Sequence, residues 1–166
     1  SNGYGIEINK IEAAKWYKKA ADKGFALAMR NLAIMLSEGD GIERNEELST
    51  EYYKLAASKG DVQSIYIYAQ RLFRGIGIEK NKEKAIEYYK LAAENDHIIS
   101  MTNLVYIYLK GDGTKINQKE AFKYAKLAAD HGNIQSMHNY AVLVHKCNEI
   151  EINKNDEIKY FKMAAD

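Results

Sequence analysis

One spacing, 36 residues, dominates this chain. Two adjacent alanines recur at that interval, an asparagine stands eleven residues before each pair, and an aromatic residue follows each asparagine by seven. The alanine pairs are residues 20–21, 56–57, 92–93, 128–129 and 164–165; the asparagines are Asn9, Asn45, Asn81, Asn117 and Asn153; the aromatics are Trp16, Tyr52, Tyr88, Tyr124 and Tyr160. Self-similarity at such a period is typical of solenoids, whose units bury their apolar faces only against their neighbours.

The glycines obey the same register. All eleven fall into three columns, and a bias in composition alone would have scattered them. The columns are Gly24, Gly60 and Gly132; Gly3, Gly39, Gly75 and Gly111; and Gly5, Gly41, Gly77 and Gly113. We therefore interpret the chain as an array of units rather than as a single irregular domain.

Each unit is predicted to contain two helices. The first helix begins after the asparagine, whose side chain can accept a bond from an orphaned backbone N–H. Asn9 with Glu12 and Asn117 with Glu120 also match the spacing of a capping box. The helix then carries apolar or small residues at i, i+3, i+4, i+7 and i+8. It ends at the first glycine column, where a left-handed residue is favoured and where Asp96 is an acceptable replacement.

The second helix opens with a small residue followed by an apolar one, and a small residue recurs five positions after the first. The opening pairs are Ala28-Met29, Ser64-Ile65, Ser100-Met101 and Ser136-Met137, and the later positions are Ala33, Ala69, Val105 and Ala141. Small side chains let two helices approach closely, so these columns are the expected helix–helix contacts. A Gly-x-Gly turn then leads into the next unit, except that Cys147-Asn148-Glu149 takes its place in the fourth.

This register divides the chain into four complete units and a fifth first-helix, nine helices in antiparallel pairs. The units are residues 9–44, 45–80, 81–116, 117–152 and the partial 153–166. Gly3-Tyr4-Gly5-Ile6 resembles the tail of a preceding unit, and the fifth helix places Ile158, Phe161 and Met163 on its packing stripe. We therefore expect the chain to be a fragment of a longer array, whose uncapped ends associate end to end.

The unit resembles the Sel-1-like repeats, relatives of the tetratricopeptide repeats. The resemblance is carried by Ala85-Ile86-Glu87-Tyr88-Tyr89-Lys90-Leu91-Ala92-Ala93 and by Gly39-Asp40-Gly41-Ile42, and it covers essentially the whole chain. It implies an all-α fold, a right-handed superhelical α/α solenoid whose first helices line a concave surface. It also implies a scaffold or adaptor role in protein assembly. Some secreted bacterial members staple each helix pair with a disulfide, and this chain lacks those cysteines.

Composition excludes several classes of function. The 24 basic and 23 acidic residues give a net charge of +1, which offers no electrostatic reason to bind nucleic acid or an anionic membrane. No apolar run is long enough for a transmembrane helix. Cys147 is the only cysteine, so no internal disulfide can form, and we expect a reducing, cytoplasmic compartment.

The residues give no support for catalysis or metal binding. His138 and His145 are seven positions apart on one predicted helix, near Cys147, whereas zinc ligands on a helix are usually three or four apart. The sequence indicates no His–Asp or His–Asn arrangement that would activate Cys147 as a nucleophile. The Gly-x-Gly turns lack a preceding strand and the fuller phosphate-binding fingerprint. We predict that the protein is not an enzyme and holds no cofactor.

The strongest functional signal is a pair of columns on the first helices. A lysine lies opposite the alanine and tyrosine stripe of each helix, and in three of them a leucine follows it at the edge of that stripe. These residues are Lys54, Leu55, Lys90, Leu91, Lys126 and Leu127. On the concave side they would form a groove for an extended protein or peptide segment with apolar side chains and acidic groups.

Three alternatives stay open at this stage. The lysines can be a solvated face paired with Glu51 and Glu87, and the leucines can pack between units. A ridge on the second helices, formed by Tyr66 with Phe73 and by Tyr106 with Leu109, can be the binding surface instead. The whole array can also be a structural spacer or an oligomerisation module without a peptide groove.

Overall fold

A computed structural model describes residues 3–132 and 134–146, and within them the fold consists of eight α-helices and no strand. The helices are α1 (Gly3–Asp22), α2 (Ala26–Glu38), α3 (Glu46–Ser58), α4 (Val62–Arg74), α5 (Lys82–Glu94), α6 (Ile98–Lys110), α7 (Gln118–Asp130) and α8 (Ile134–Lys146). The predicted ninth helix, the apolar residues assigned to it and the turn at Cys147 lie outside these residues.

The helices form two compact units, residues 1–88 and 89–166. In the first unit, α1 packs on α2, α2 on α3 and α3 on α4. In the second, α6 packs on α7 and α7 on α8. Within each unit these helices therefore pack on their neighbours in the chain, which is the arrangement predicted for a solenoid.

The predicted stripes form the buried surfaces of both units. The alanine pairs of α3 and α7 are buried, and so are the small residues of the second helices. A cluster in the first unit joins Leu32 and Leu36 of α2 to Ala56 of α3, and one in the second joins Ala125 of α7 to Met137 of α8. A buried leucine contributes roughly 1.5–3 kcal/mol through its removal from water.

The predicted asparagine caps are confirmed for three first helices. The side-chain oxygen of Asn45 accepts from the backbone N–H of Leu48 at 2.9 Å. Asn81 accepts in the same way from Lys84 at 2.8 Å, and Asn117 from Glu120 at 3.1 Å. The backbone of Asn45 is extended, with φ −149°, so the cap forms where an extended chain turns into the helix.

The prediction for Asn9 is wrong. Asn9 lies inside α1, which already begins at Gly3, so it caps nothing, and the proposed Gly3-Tyr4-Gly5 turn is helical. The physical reason is the conformation of the backbone before Asn9. Backbone that is helical before Asn9 already satisfies the N–H groups that a side-chain cap would serve.

The glycines that end the first helices, Gly24, Gly60 and Gly132, have the left-handed backbone that was predicted, and so does the one substitution in their column. Asp96 has φ 61° at the end of α5, where the other repeats place glycine. Gly77 has a stricter requirement, because its turn lies against the first turn of α3. A Cβ added at Gly77 would be 2.8 Å from Thr50 Oγ1 and closer still to the carbonyl of Glu46. Only glycine permits this approach.

Candidate protein-interaction surface

The predicted surface residues of the first unit lie on the solvent side of α3. Lys54 is exposed, and Leu55 keeps 47% of its surface exposed although Ala56 and Ala57 beside it are buried. The packing of the helix therefore uses the alanines and leaves the leucine outside. An exposed leucine next to a lysine is apolar surface available to a partner.

The second unit holds the other predicted residues in varied surroundings. Leu91 on α5 is 40% exposed, and Lys90 is half-buried with its Nζ 5.8 Å from the ring centre of Tyr108. On α7, Lys126 is exposed and Leu127 is half-buried. In the lysine column, Lys54 and Lys126 are thus exposed to solvent, whereas the ring of Tyr108 covers part of Lys90.

An open depression of about 610 Å³ borders Lys54 in the first unit. Its walls are formed by the exposed side of α3 and by the turn that follows α4, and Tyr68 of α4 also lines it. The lining residues are Glu47, Thr50, Glu51, Lys54, Tyr68, Gly75, Gly77, Ile78 and Glu79. Three carboxylates and one ammonium group line the depression, so its charge is acidic overall. The sequence prediction of a basic groove does not describe this part of the surface.

The first helix of the fourth repeat has the opposite charge. Lys119 and Lys123 occupy the α7 positions that correspond to Glu47 and Glu51 of α3, and both are exposed beside Lys126. Glu120 lies 3.8 Å from Lys123, and the exposed Asp130 lies four residues after Lys126, so these two carboxylates offset part of this charge. The solvent face of α7 is therefore basic, and a carboxylate-bearing segment would complement it.

A polar cluster that the sequence did not predict lies beside the depression and shares Thr50 with its lining. We call it the Arg71 cluster; its members are Ser37, Glu46, Thr50 and Arg71. The Arg71 guanidinium on α4 donates to Glu46 Oε2 at 2.8 Å, to Ser37 Oγ at 2.9 Å and to Thr50 Oγ1 at 3.0 Å. Arg71 is only 7% exposed, so these bonds satisfy a charge that would otherwise be costly to bury.

The cluster also anchors the turn after α4. Thr50 Oγ1 lies 2.9 Å from the carbonyl oxygen of Ile76, 26 residues further along the chain. The Arg71 guanidinium carbon lies 4.9 Å from the ring centre of Tyr53 as well. Burial alone would raise the pKa of Glu46, but hydrogen bonds from Arg44 and Arg71 lower this pKa below its ordinary value. The Glu46 carboxylate is therefore stabilised in its ionised form beside Arg71.

One signal in the sequence could have revealed this cluster. The positions that correspond to Arg71 hold Met35, Ile107 and Leu143, so an arginine stands in an otherwise apolar column. A charge in a core column requires a partner, and Glu46 supplies it where three other repeats place lysine.

The alternative ridge is only partly exposed. Tyr66, Phe73 and Leu109 are half-buried, and Lys82 Nζ lies 5.2 Å from the ring centre of Phe73. Tyr106 on α6, by contrast, keeps 59% of its surface exposed. Tyr106 is therefore the member of this ridge that could compete for a partner.

The described part of the chain contains neither a metal-binding cluster nor a membrane-spanning helix. No group of three or more histidine, cysteine, aspartate or glutamate side chains there could hold a metal ion. The side chains of His145 and Cys147 lie outside that description. None of the helices described is both long enough and apolar enough to cross a membrane.

The chain matches the family model of the Sel1 repeat over residues 1–25, 26–61, 62–97 and 98–133. It belongs to the Sel1 repeat family. Sel1 repeat proteins are generally protein-interaction scaffolds without catalytic activity of their own. A search of curated proteins found no match.

Solved structures confirm the Sel1 fold. The protective antigen c5321 of uropathogenic Escherichia coli, described as having the Sel1-like repeat fold, is 27% identical with a TM-score of 0.85; the match covers 93% of this chain and 33% of that one. A Sel1 repeat protein from Oxalobacter formigenes is 25% identical with a TM-score of 0.78, over 96% of this chain and 68% of that one. Cysteine rich protein B of Helicobacter pylori is 20% identical with a TM-score of 0.62, over 80% and 96%, and shows the fold alone. The chain thus spans about a third of the length of c5321.

Proposed function

We propose that this Sel1 domain binds a segment of another protein on the solvent face of its first helices, and that each unit contributes its own lysine and leucine residues. The observation that carries the proposal is the exposure of Leu55 beside Lys54, at the rim of an open depression. Nearly half of an apolar side chain faces water there, and binding would remove it from water.

In the first unit the depression favours a segment with a basic side chain. Glu47, Glu51 and Glu79 would surround that group, while Leu55 would receive an apolar neighbour. Lys54 is the only cation in the lining and would accept a carboxylate at the edge. Complementary charges of this kind chiefly raise the association rate and the specificity.

In the second unit α7 favours a segment with acidic side chains. Lys119, Lys123 and Lys126 supply the positive charge, and Leu127 and Leu91 the apolar surface. The partner chemistry therefore differs between the two units, and each can be tested by itself.

Site-specific photo-crosslinking tests the proposal. A benzoylphenylalanine placed at position 55, or at position 127, should form a covalent adduct with a protein from the source cell. The same group at position 106 is the matched control, because Tyr106 is also exposed but lies on a second helix. Adducts from position 106 alone would move the site to the second helices. Adducts from none of the three would favour a structural spacer or oligomerisation module instead.

Once the partner is identified, charge reversal tests the surface further. Glu51→Lys puts a cation into the acidic depression and should weaken binding, whereas Lys59→Glu, an exposed position just beyond the end of α3, should leave the dissociation constant unchanged. Affinity should also fall as salt concentration rises, because exposed charges are screened within about 10 Å at 0.1 M. Equal effects of the two substitutions would contradict a contact at the depression.

A further inference from the structure

Two aromatic side chains are exposed together on the first repeat. Trp16 on α1 is 62% exposed and Phe25, just before α2, is 61% exposed. They line one depression of about 450 Å³ together with Lys19, Ala20, Asp22 and Lys23. Lys19 Nζ lies 4.5 Å from the Trp16 ring centre and covers part of its face. Two adjacent aromatic rings left in water make a candidate docking surface.

Phe25 occupies a position at which a polar side chain would cap the helix. It is the N-cap residue of α2 and makes no side-chain capping bond. At the corresponding position of the next two repeats, Asp61 accepts from the backbone N–H of Ser64 and His97 from that of Ser100. Loss of such a bond costs about 1 kcal/mol. Local folding therefore favours a polar residue at position 25, and the phenyl ring must be explained otherwise.

The internal repeats show what covers these two positions. Tyr52 corresponds to Trp16, and it packs against the core cluster that contains Leu32 of α2. Asp61 corresponds to Phe25, and its carboxylate binds Arg30 of α2 at 2.9 Å. Both positions of the second repeat therefore face the second helix of the repeat before it.

The same relationship recurs further along the chain. Tyr88, at the Trp16 position of the third repeat, lies edge-on against Tyr68 of α4 with ring centres 4.7 Å apart. Tyr124 of the fourth repeat stacks on Tyr108 of α6 with ring centres 6.1 Å apart. An aromatic in this column is thus a junction residue, and Trp16 is the member that no other described helix covers.

We propose that the surface formed by Trp16, Ala20 and Phe25 binds the second helix of another helix–turn–helix repeat, which would lie on α1 as α2 lies on α3. The contact would be more apolar than the internal junction, because Phe25 replaces the aspartate that binds Arg30. The partner helix would therefore present an aliphatic residue in the place of that arginine.

A fusion protein tests this proposal with Trp16 as reporter, since it is the only tryptophan in the chain. Residues 1–8 are replaced by a second copy of residues 9–44 carrying Trp16→Tyr and Arg30→Leu. If the added second helix binds as proposed, the emission of the original Trp16 shifts to shorter wavelength. Its quenching by acrylamide also falls several-fold relative to the unfused protein. Circular dichroism should show the added helices folded.

Two results would overturn the proposal. In the first, Trp16 of the fusion stays as accessible as in the unfused protein, whether or not the added helices fold. In the second, Trp16 of the unfused protein is already shielded at high concentration and sedimentation shows a dimer, which would make a second copy of this chain the occupant.

Discussion

The guanidinium of Arg71 on α4 and the carboxylate of Glu46 on α3 form a 2.8 Å ion pair that is largely buried on the arginine side. No counterpart is possible in the other repeats, which place Met35, Ile107 and Leu143 at the arginine position. The pair therefore distinguishes the second repeat from its neighbours. Through Thr50 it also fixes the turn that forms one wall of the acidic depression.

Replacement of Arg71 should destabilise the domain. Arg71→Met leaves Ser37, Glu46 and Thr50 without their shared donor, and we expect a loss of about 2 kcal/mol in the free energy of unfolding. The double variant Arg71→Met with Glu46→Gln should be less destabilised, because the carboxylate is then removed as well. Urea denaturation of both variants measures the difference. A single variant as stable as the native chain would show that the cluster contributes little.

The same ion pair makes the stability of the domain depend on pH in the acidic range. Hydrogen bonds from Arg44 and Arg71 outweigh burial and lower the pKa of Glu46 below its ordinary value of 4.5. A lowered pKa stabilises the folded state above pH 4.5, and this contribution is lost as pH falls through the lowered value. Stability measured from pH 6 to pH 3 should therefore decline less in Glu46→Gln than in the native chain. Parallel curves would contradict this role for Glu46.

The capping asparagines offer a prediction with an internal control. Asn45→Ala, Asn81→Ala and Asn117→Ala should each cost about 1 kcal/mol, because each removes a bond to a backbone N–H. Asn9→Ala should cost nothing, since Asn9 lies inside α1 and alanine is the better helix former. Thermal unfolding of the four variants compares them directly. A destabilised Asn9→Ala would indicate that α1 begins at Asn9 after all.

The repeat architecture could be predicted from the sequence because it depends on local chemistry that recurs. An asparagine cap, a stripe of alanines and a left-handed glycine each act within a few residues, so their spacing reveals the helices. Asp96 was predicted to adopt the left-handed conformation, and it does. Asn9 failed because a residue's capping role depends on the backbone before it, and the repeat register does not report that.

The interaction surface could be predicted only in part. Helical periodicity placed Lys54 on the solvent side and Leu55 at the edge of the apolar stripe, and both are exposed. The charge around them was misjudged for two reasons. Glu47 and Glu51 of α3 line the same depression as Lys54, and Glu79 reaches it from a turn after α4, 25 residues beyond Lys54. Comparison of equivalent positions in the repeats does not reveal residues that become neighbours only in the folded chain.

Gly77 should be less replaceable than Gly60. Both have positive φ, so alanine at either position costs roughly 1–2 kcal/mol of backbone strain. A methyl group at Gly60 meets nothing within 4 Å, whereas at Gly77 it would collide with the backbone of Glu46. We expect Gly77→Ala to cost about 1–3 kcal/mol more than Gly60→Ala in urea denaturation, the usual penalty for overpacking. Equal costs would show that the turn can move away from α3.

His131 should titrate above its ordinary value through contacts within the second unit. Its Nδ1 lies 2.8 Å from the carbonyl oxygen of Leu127 and its Nε2 lies 3.0 Å from Asp96 Oδ1, so the doubly protonated ring satisfies both acceptors. The bond to Leu127 and then the bond to Asp96 raise the pKa of His131 above 6.5. A raised pKa stabilises the folded state below pH 6.5, and this contribution is lost as pH rises through the raised value.

Asp96→Asn isolates the charge in this arrangement. Asparagine tolerates the left-handed backbone at position 96, so the turn should persist while the carboxylate is removed. The pKa of His131, followed by the NMR shifts of its ring protons, should then fall while staying above 6.5, because the bond to Leu127 remains. His131→Gln should in addition remove this histidine's part of the stability change near neutral pH. If Asp96→Asn leaves the titration of His131 unchanged, the ion pair does not form in solution, and the raised pKa must come from the Leu127 carbonyl alone.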